Sequence, residues 1–274
     1  LYHAASATLN ELAKDAKYLG ANIGYICILH TWGSAMNYHP HIHTIVLGGG
    51  LDDENKWKET GGKFFLPYGV ISKVFRGKYL DELKSLWNDS KLKFHGTAEK
   101  YQNSYRFKEL LDKCYEKNWV TYCKETFNGA QSVINYLGKY THRIAISNHR
   151  IKSMTDTTVT YVVKDYKNEG CWKEKTISGE EFIRRFMMHV PPKRFVRIRH
   201  YGLLSCRNKR KKITHCRNLL GCKKYISTLK NLNAVEMIRV LYHIDVCKCS
   251  SCGGNMVSPR KDKYSSSFRA HMRC

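Results

Sequence analysis

Apolar residues Ala5, Leu9, Leu12, Ala13 and Ala16 recur at helical spacing across residues 2–18, and the pattern stops at Gly20. The period then shortens. Gly24–His30 (GYICILH) and His41–Leu47 (HIHTIVL) are β-branched and aromatic runs, which predict two neighbouring strands joined by the polar segment TWGSAMNYHP. After the glycines at 48–50, DDENKWKETGG predicts an exposed loop and FFLPYG a short strand. Val70–Trp87 reads as a helix with Val70, Val74, Leu80, Leu83 and Leu86 or Trp87 inward, and residues 97–117 as another. Trp119–Phe127 (WVTYCKETF) alternates like a strand and Asn128-Gly129 breaks it. Ala130–His142 returns to helical spacing, with Val133, Ile134 and Leu137 inward. RIAISNHRI, TTVTYVVKDY and CWKEKTI predict an antiparallel meander. Ser178 with Glu181 forms a capping-box pattern at the head of EEFIRRFMMHV, which stops at Pro191-Pro192. Beyond lie VRIRHYGLL, the basic run RNKRKK, one or two short helices and a Cys-rich tail. The order predicts an α+β fold, an antiparallel sheet with flanking helices, followed by a basic, helical, Cys-rich extension. Three regions are expected: a catalytic domain over 1–190, a basic extension over 191–246 and a Cys-rich tail over 247–274.

Composition excludes several classes. With 274 residues and 42% apolar content the chain can bury a core, so general disorder is excluded. No run of 18 apolar residues occurs, so no membrane partner is expected, and the opening LYHAASATLNELAKD lacks the tripartite pattern of a secretion signal. The 11 cysteines therefore read as thiols or metal ligands before disulfides. Charge sharpens this. Residues 191–274 hold 20 of the 47 Lys and Arg and only 3 of the 23 Asp and Glu, so they carry +17 of the net +24. A field of that sign draws polyanions. Arg197, Arg199, His200, Lys209, Arg210, Lys211 and Lys212 are the candidate phosphate contacts in this region, and aromatics such as Tyr201 could stack unpaired bases.

Three of the 13 histidines fall in HPHIH at 39–43. On a strand alternate side chains share a face, so His41 and His43 point one way with Ile42 behind them, a spacing that can hold one divalent ion. His39 shares that face, but the span from His39 to His43 is about 13 Å at roughly 3.3 Å per residue, too long for all three to grip one ion. His30 becomes the third ligand if the two strands form a hairpin. The plainer alternative is that these imidazoles only satisfy hydrogen bonds. H-x-H also occurs in metal-dependent amidohydrolase barrels and in cupins, but the meander at 143–177 breaks the alternation a barrel needs.

In INYLGKYTHR, Tyr136 and Tyr140 are four residues apart, which stacks their phenols on one helix face. An aromatic stripe packed in a core would look the same. Lys139, His142 and Arg143, in the same turn or the next, suit a phosphate partner better than a dry core. A phenol is a weak nucleophile at neutral pH and needs its phosphorus target polarised, which a cation on His41 and His43 would do. The two motifs therefore make one chemistry: in-line attack that leaves a covalent phosphotyrosine.

These runs, ILHTWGSAMNYHPHIHTIVLGGGLD, FFLPYGVISKVFRGKYLDEL, NYLGKYTHRIAISNHRI, EEFIRRFMMHV and FVRIRHYGLL, resemble in order and spacing the two-tyrosine rolling-circle transposases of insertion sequences, part of the HUH endonuclease group. The similarity covers roughly residues 1–220. It places the family's histidine motif on His41, Ile42 and His43 and its tyrosine motif on Tyr136 and Tyr140. It implies metal-dependent nicking of single-stranded DNA at an element's end, a 5′-phosphotyrosine, a free 3′ hydroxyl, Mg²⁺ or Mn²⁺ as the ion, and a bacterial cytoplasmic, nucleoid-associated location. Relatives carry an N-terminal Cys-rich zinc segment and a strand ahead of the first helix here, so a chain starting at Leu1 reads as a fragment. The runner-up is a non-catalytic nucleic-acid-binding protein derived from a transposase. A third reading, a small-molecule metallohydrolase, requires the histidines to lie in a closed pocket beyond reach of either tyrosine.

The tail CKCSSCGG places Cys249 and Cys252 in a knuckle-like CxxCG, and the closing HMRC adds His271 and Cys274, which together make a candidate structural Zn²⁺ set. Cys247 could replace any of them. Cys206, Cys216 and Cys222, irregularly spaced, are expected to be buried thiols.

Overall fold

The computed structural model describes residues 1–61, 66–124, 127, 129–141, 144–165, 168–207, 209–223, 229 and 231–256, and Ala130 and Lys139 by backbone only. Two compact units divide after Leu219. In the first, helix α1 (Tyr2–Lys14) precedes the long strands β1 (Asn22–Trp32) and β2 (Tyr38–Leu51), which form an antiparallel hairpin. The short strand β3 (Trp57–Glu59) lies outside β2, and β7 (Ile198–Gly202) pairs with β1, giving the order β3-β2-β1-β7. Helices α2 (Tyr68–Asn88) and α3 (Ser104–Glu116) follow, and α4 (Gly129–Thr141) carries the tyrosines. A separate antiparallel meander, β4 (Ile151–Met154), β5 (Thr158–Asp165) and β6 (Cys171–Ser178), leads into α5 (Gly179–Met187) and later α6 (Lys209–Leu219). The α+β class and antiparallel sheets with flanking helices are as expected. Among the described residues no helix is long and apolar enough to cross a membrane.

Alternation along β1 separates a core from a site. Ile23, Tyr25 and Cys27 face α1, where they join Leu9, Leu12 and Ala13 in a dry cluster with Leu29, Ile42 and Val46 at its margin. Residues one position off, Ile28 and His30, face the other way.

The hairpin tip is inserted between layers. Met36, fully buried with a left-handed φ of 54°, packs against Ala145, Tyr161 and Val163. Tyr161 and Arg185 donate to the Ala35 carbonyl at 3.3 and 3.1 Å, and His189 donates Nε2–H to the Met36 carbonyl at 3.1 Å. Gly202, with φ 58°, ends β7 where any Cβ would collide with the Ile23 carbonyl.

Several expectations change. The strand β7, which lies within the region expected to be a basic extension, pairs with β1 in the first sheet, and the first compact unit runs to Leu219. The strand expected at FFLPYG is absent from its described residues: Leu66 is a bend and Tyr68 already opens α2, while Phe64 and Phe65 lie outside the described residues. The outer partner of β2, on the edge away from β1, is Trp57–Glu59, which lies in the segment expected to be an exposed loop. The described part of Trp119–Phe127 is not a strand; Val120 and Tyr122 are 91% and 80% exposed, and no strand among the described residues pairs with it. RIAISNHRI contributes only its final Ile151 to β4. Ser178 accepts from the Glu181 N–H as expected, while the Glu181 carboxylate binds Arg184 and Arg185. Of the three basic-region thiols, Cys216 is buried but Cys206 and Cys222 are exposed.

The second unit, taken by itself, contains α7 (Ala234–Tyr242), opened by a complete capping box between Asn233 and Glu236. After it, Cys249 N–H donates to the Gly254 carbonyl and Gly253 N–H to the Cys249 carbonyl, both at 2.9 Å, closing a tight turn over Cys249–Cys252. Backbone N–H groups of Cys252 and Ser251 lower the Cys249 thiol pKa. His271 and Cys274 lie outside the described residues.

Candidate active site

His30 and His41 are direct cross-strand partners, and Ile28 faces His43, so the hairpin register alone gathers three imidazoles on one sheet face. One ligand atom from each lies within 4.8 Å of the others. His39, although on the same strand, is exposed and only offers its carbonyl to His41 Nδ1 at 2.8 Å. That places His30, rather than His39, as third member of the triad.

Helix α4 lies against this face. Its inward stripe is Val133, Tyr136, Leu137 and Tyr140, whereas Ile134, expected inward, is 59% exposed. The Tyr136 and Tyr140 rings are 4.3 Å apart, and Tyr140 lies 4.3 Å from the His43 ring. Two side chains from the sheet hold the helix by its last turn, where backbone carbonyls have no partner within the helix. His30 Nε2 donates to the Tyr140 carbonyl at 2.7 Å, and Arg197 donates to the Thr141 carbonyl. A cation at a helix C-terminus is favoured by the dipole as well. Neither clamp was legible as such in the sequence, since each joins residues more than fifty positions apart.

The hydrogen bonds define the tautomers. Carbonyl partners require N–H at His30 Nε2 and at His41 Nδ1, so His41 Nε2 carries a lone pair. His43 Nε2, 3.1 Å from His41 Nε2, then donates, and His43 Nδ1, 3.1 Å from the Tyr136 hydroxyl, accepts from it. Neutral rings are what burial enforces: it lowers the pKa of His41 and pushes His30 down to about 4 and His43 to about 3, with mutual repulsion adding to the last. Burial likewise pushes the Tyr136 phenol up to about 12. The triad fits a divalent ion. Two ~2.1 Å bonds meeting at 90–109° leave their donor atoms about 3.0–3.4 Å apart, which brackets the 3.1 Å between His41 and His43.

The other candidate contacts are spread. Arg197 is half-buried, with its guanidinium 5.7 Å from the Trp32 ring centre. Arg199 is exposed and lies over the Tyr2 ring at 4.1 Å, and His200 pairs with Ile26 in the sheet. Lys209, Arg210 and Lys211 are exposed on α6 and Lys212 is half-buried there. Lys211 and Lys212 line a cleft with Lys14 and Asn22, at the far end of β1 from His30. Eight residues of strand, about 26 Å, separate those ends. His142, Arg143 and the Lys139 side chain lie outside the described residues. Trp32, stacked on His30 at 4.3 Å, and Phe127, edge-on to Tyr136 at 5.2 Å, complete the aromatic surround and were not singled out from the sequence.

The closed pocket that a small-molecule metallohydrolase needs is not formed, because Tyr136 touches the triad. No solved structure matches the chain. Residues 24–212 match the model of the two-tyrosine family described as "putative transposase". A Sinorhizobium fredii protein named "Putative transposase y4qJ" is 40% identical over 222 residues, 81% of this chain and 56% of that protein. The transposase of insertion sequence element IS801 from Pseudomonas savastanoi pv. phaseolicola is 27% identical over 251 residues, 90% of this chain and 59% of its own. The chain thus spans less than two thirds of either relative, yet the family match covers well over half of it. A triad built on paired strands, a tyrosine pair laid across it and this family match together make the chain a member of the two-tyrosine transposase family.

Proposed function

We propose that the chain nicks and transfers single-stranded DNA with a tyrosine nucleophile, as the catalytic part of a rolling-circle transposase. The observation that carries this reading is the 3.1 Å contact from the Tyr136 hydroxyl to His43 Nδ1, in a ring whose other nitrogen faces His41. His30, His41 and His43 would hold a divalent ion, Mg²⁺ or Mn²⁺, which supplies electrophilic polarisation of the scissile phosphate and neutralises developing charge. Were His43 to offer a lone pair to that ion, its ring hydrogen would lie on the nitrogen facing Tyr136, and the ring would donate to the Tyr136 oxygen and favour charge there. Tyr136 Oη attacks phosphorus, the bond to the 3′ oxygen breaks, and the phenolic proton is balanced by the one the departing 3′ hydroxyl gains. The product is a 5′-phosphotyrosine. Tyr140, its ring tilted 35° to that of Tyr136 at 4.3 Å, would receive a second strand.

Lys209, Arg210, Lys211, Lys212 and Arg199 would neutralise backbone phosphates. The Cys249–Cys252 turn reads as half of a structural zinc site, with His271 and Cys274 as its other half.

The test is incubation with labelled single-stranded DNA carrying an element terminus and Mn²⁺. An SDS-resistant adduct is expected, lost in Tyr136→Phe/Tyr140→Phe. Binding without an adduct under any divalent metal would instead favour the transposase-derived binding protein.

A further inference from the structure

A second cavity, of about 360 Å³, shares His30 and Tyr140 with the triad and is completed by Trp32, Arg150, Trp172 and Ser147. Its volume lies at the low end of the ~300–1,000 Å³ typical of small-ligand sites, room for one flat ring with its sugar and none for a duplex. Ala145 and Ile146 add an apolar floor, and among the described residues no acidic side chain lines it. Trp32 is stacked on the His30 ring, which fixes its plane. Trp172, 61% exposed near the start of β6, has the Arg150 guanidinium 5.8 Å from its ring centre. Arg150 is itself fixed, donating Nε–H to the Val162 carbonyl at 2.9 Å and reaching the Ser34 carbonyl through Nη2. Indole surface, an immobilised cation and a serine–histidine pair (Ser147 Oγ to His149 Nε2, 3.3 Å) are what an unpaired nucleobase needs: π-faces to stack on and polar groups to meet its edge.

We propose that this cavity takes a single unstacked base of the nucleotide next to the scissile phosphate, with Trp172 as the stacking platform. The inference rests on the proposed function for the identity of the polymer and for the place of its scissile phosphate at the triad. A polyanion entering the triad passes a wall it shares with the cavity, so the base is held against the same His30 and Tyr140 that orient the reacting groups. The strand is thereby positioned by a base as well as by phosphate.

The experiment measures binding of the full chain, in EDTA, to a short fluorescein-labelled thymidine oligonucleotide and to an abasic phosphodiester strand of equal length. The wild-type chain is expected to prefer the base-bearing strand by about tenfold. Trp172→Ala should remove most of that preference without weakening abasic binding, and Trp172→Phe should keep most of it. Quenching of tryptophan emission by the thymidine strand, diminished in Trp172→Phe, provides a second readout should the alanine variant fold poorly. A preference unchanged in Trp172→Ala, an equal loss for both strands, or quenching unaltered in Trp172→Phe would overturn the proposal. Because no metal is present, a chain that never forms an adduct can still pass and a chain that nicks can still fail.

Discussion

The two faces of the β1–β2 hairpin differ in what they bury although they share a backbone. One face presents Ile23, Tyr25, Cys27 and Ile42 to α1 and is dry; the other presents His30, His41 and His43 to α4, where all three imidazoles are neutral and partnered. The period-two alternation of a strand makes this possible, since a substitution on one face leaves the other in register. The lesson is a division of labour: the α1 face supplies the free energy that keeps three desolvated imidazoles and a desolvated phenol in place on the α4 face.

Breaking one face should therefore leave the other legible. The largest effect is expected from the α4 face: Tyr136→Phe should cut adduct formation at least about a thousandfold while the thermal midpoint hardly moves, as read by denaturing gel and calorimetry. On the opposite face, Leu12→Ala should cost about 2–5 kcal/mol in denaturant unfolding, with nicking per folded molecule unchanged at low temperature. Arg197→Met tests the link between faces. Loss of a charged donor to the Thr141 carbonyl is worth about 1.5–3 kcal/mol, and it should raise hydrogen exchange at the C-terminal turn of α4 and slow nicking.

A smaller effect is expected from pH. In the metal-free chain His30 and His43 have native pKa values far below that of an unfolded histidine, about 6.5, so the unfolded state binds more protons below that value. Stability should be flat above pH about 6.5 and fall as pH drops towards 4; a melting curve series on His30→Gln/His43→Gln should show a shallower fall. The smallest change is expected at the α6 cleft, at the end of β1 away from the triad. Lys211→Gln/Lys212→Gln should leave adduct chemistry intact but make log affinity against log salt shallower by about 1.4 if both lysines meet single-strand phosphates.

The sequence by itself determined the elements whose information is local: the strands at GYICILH and HIHTIVL, the helix under INYLGKYT, and therefore the common face of His41 and His43 and the neighbouring of Tyr136 and Tyr140 on one side of their helix. It misjudged WVTYCKETF and WKE for one reason. A strand exists only against a partner edge, so alternation without a neighbour stays irregular, and three residues beside β2 become a strand without any pattern of their own. Tertiary structure decided that His30 is the third imidazole, since this depends on cross-strand register. It also decided that Arg197 clamps the tyrosine helix and that Trp32, Arg150 and Trp172 meet in a cavity beside it. Each of these joins chain segments that local periodicity cannot relate, because register and packing are settled by the free energy of the whole core.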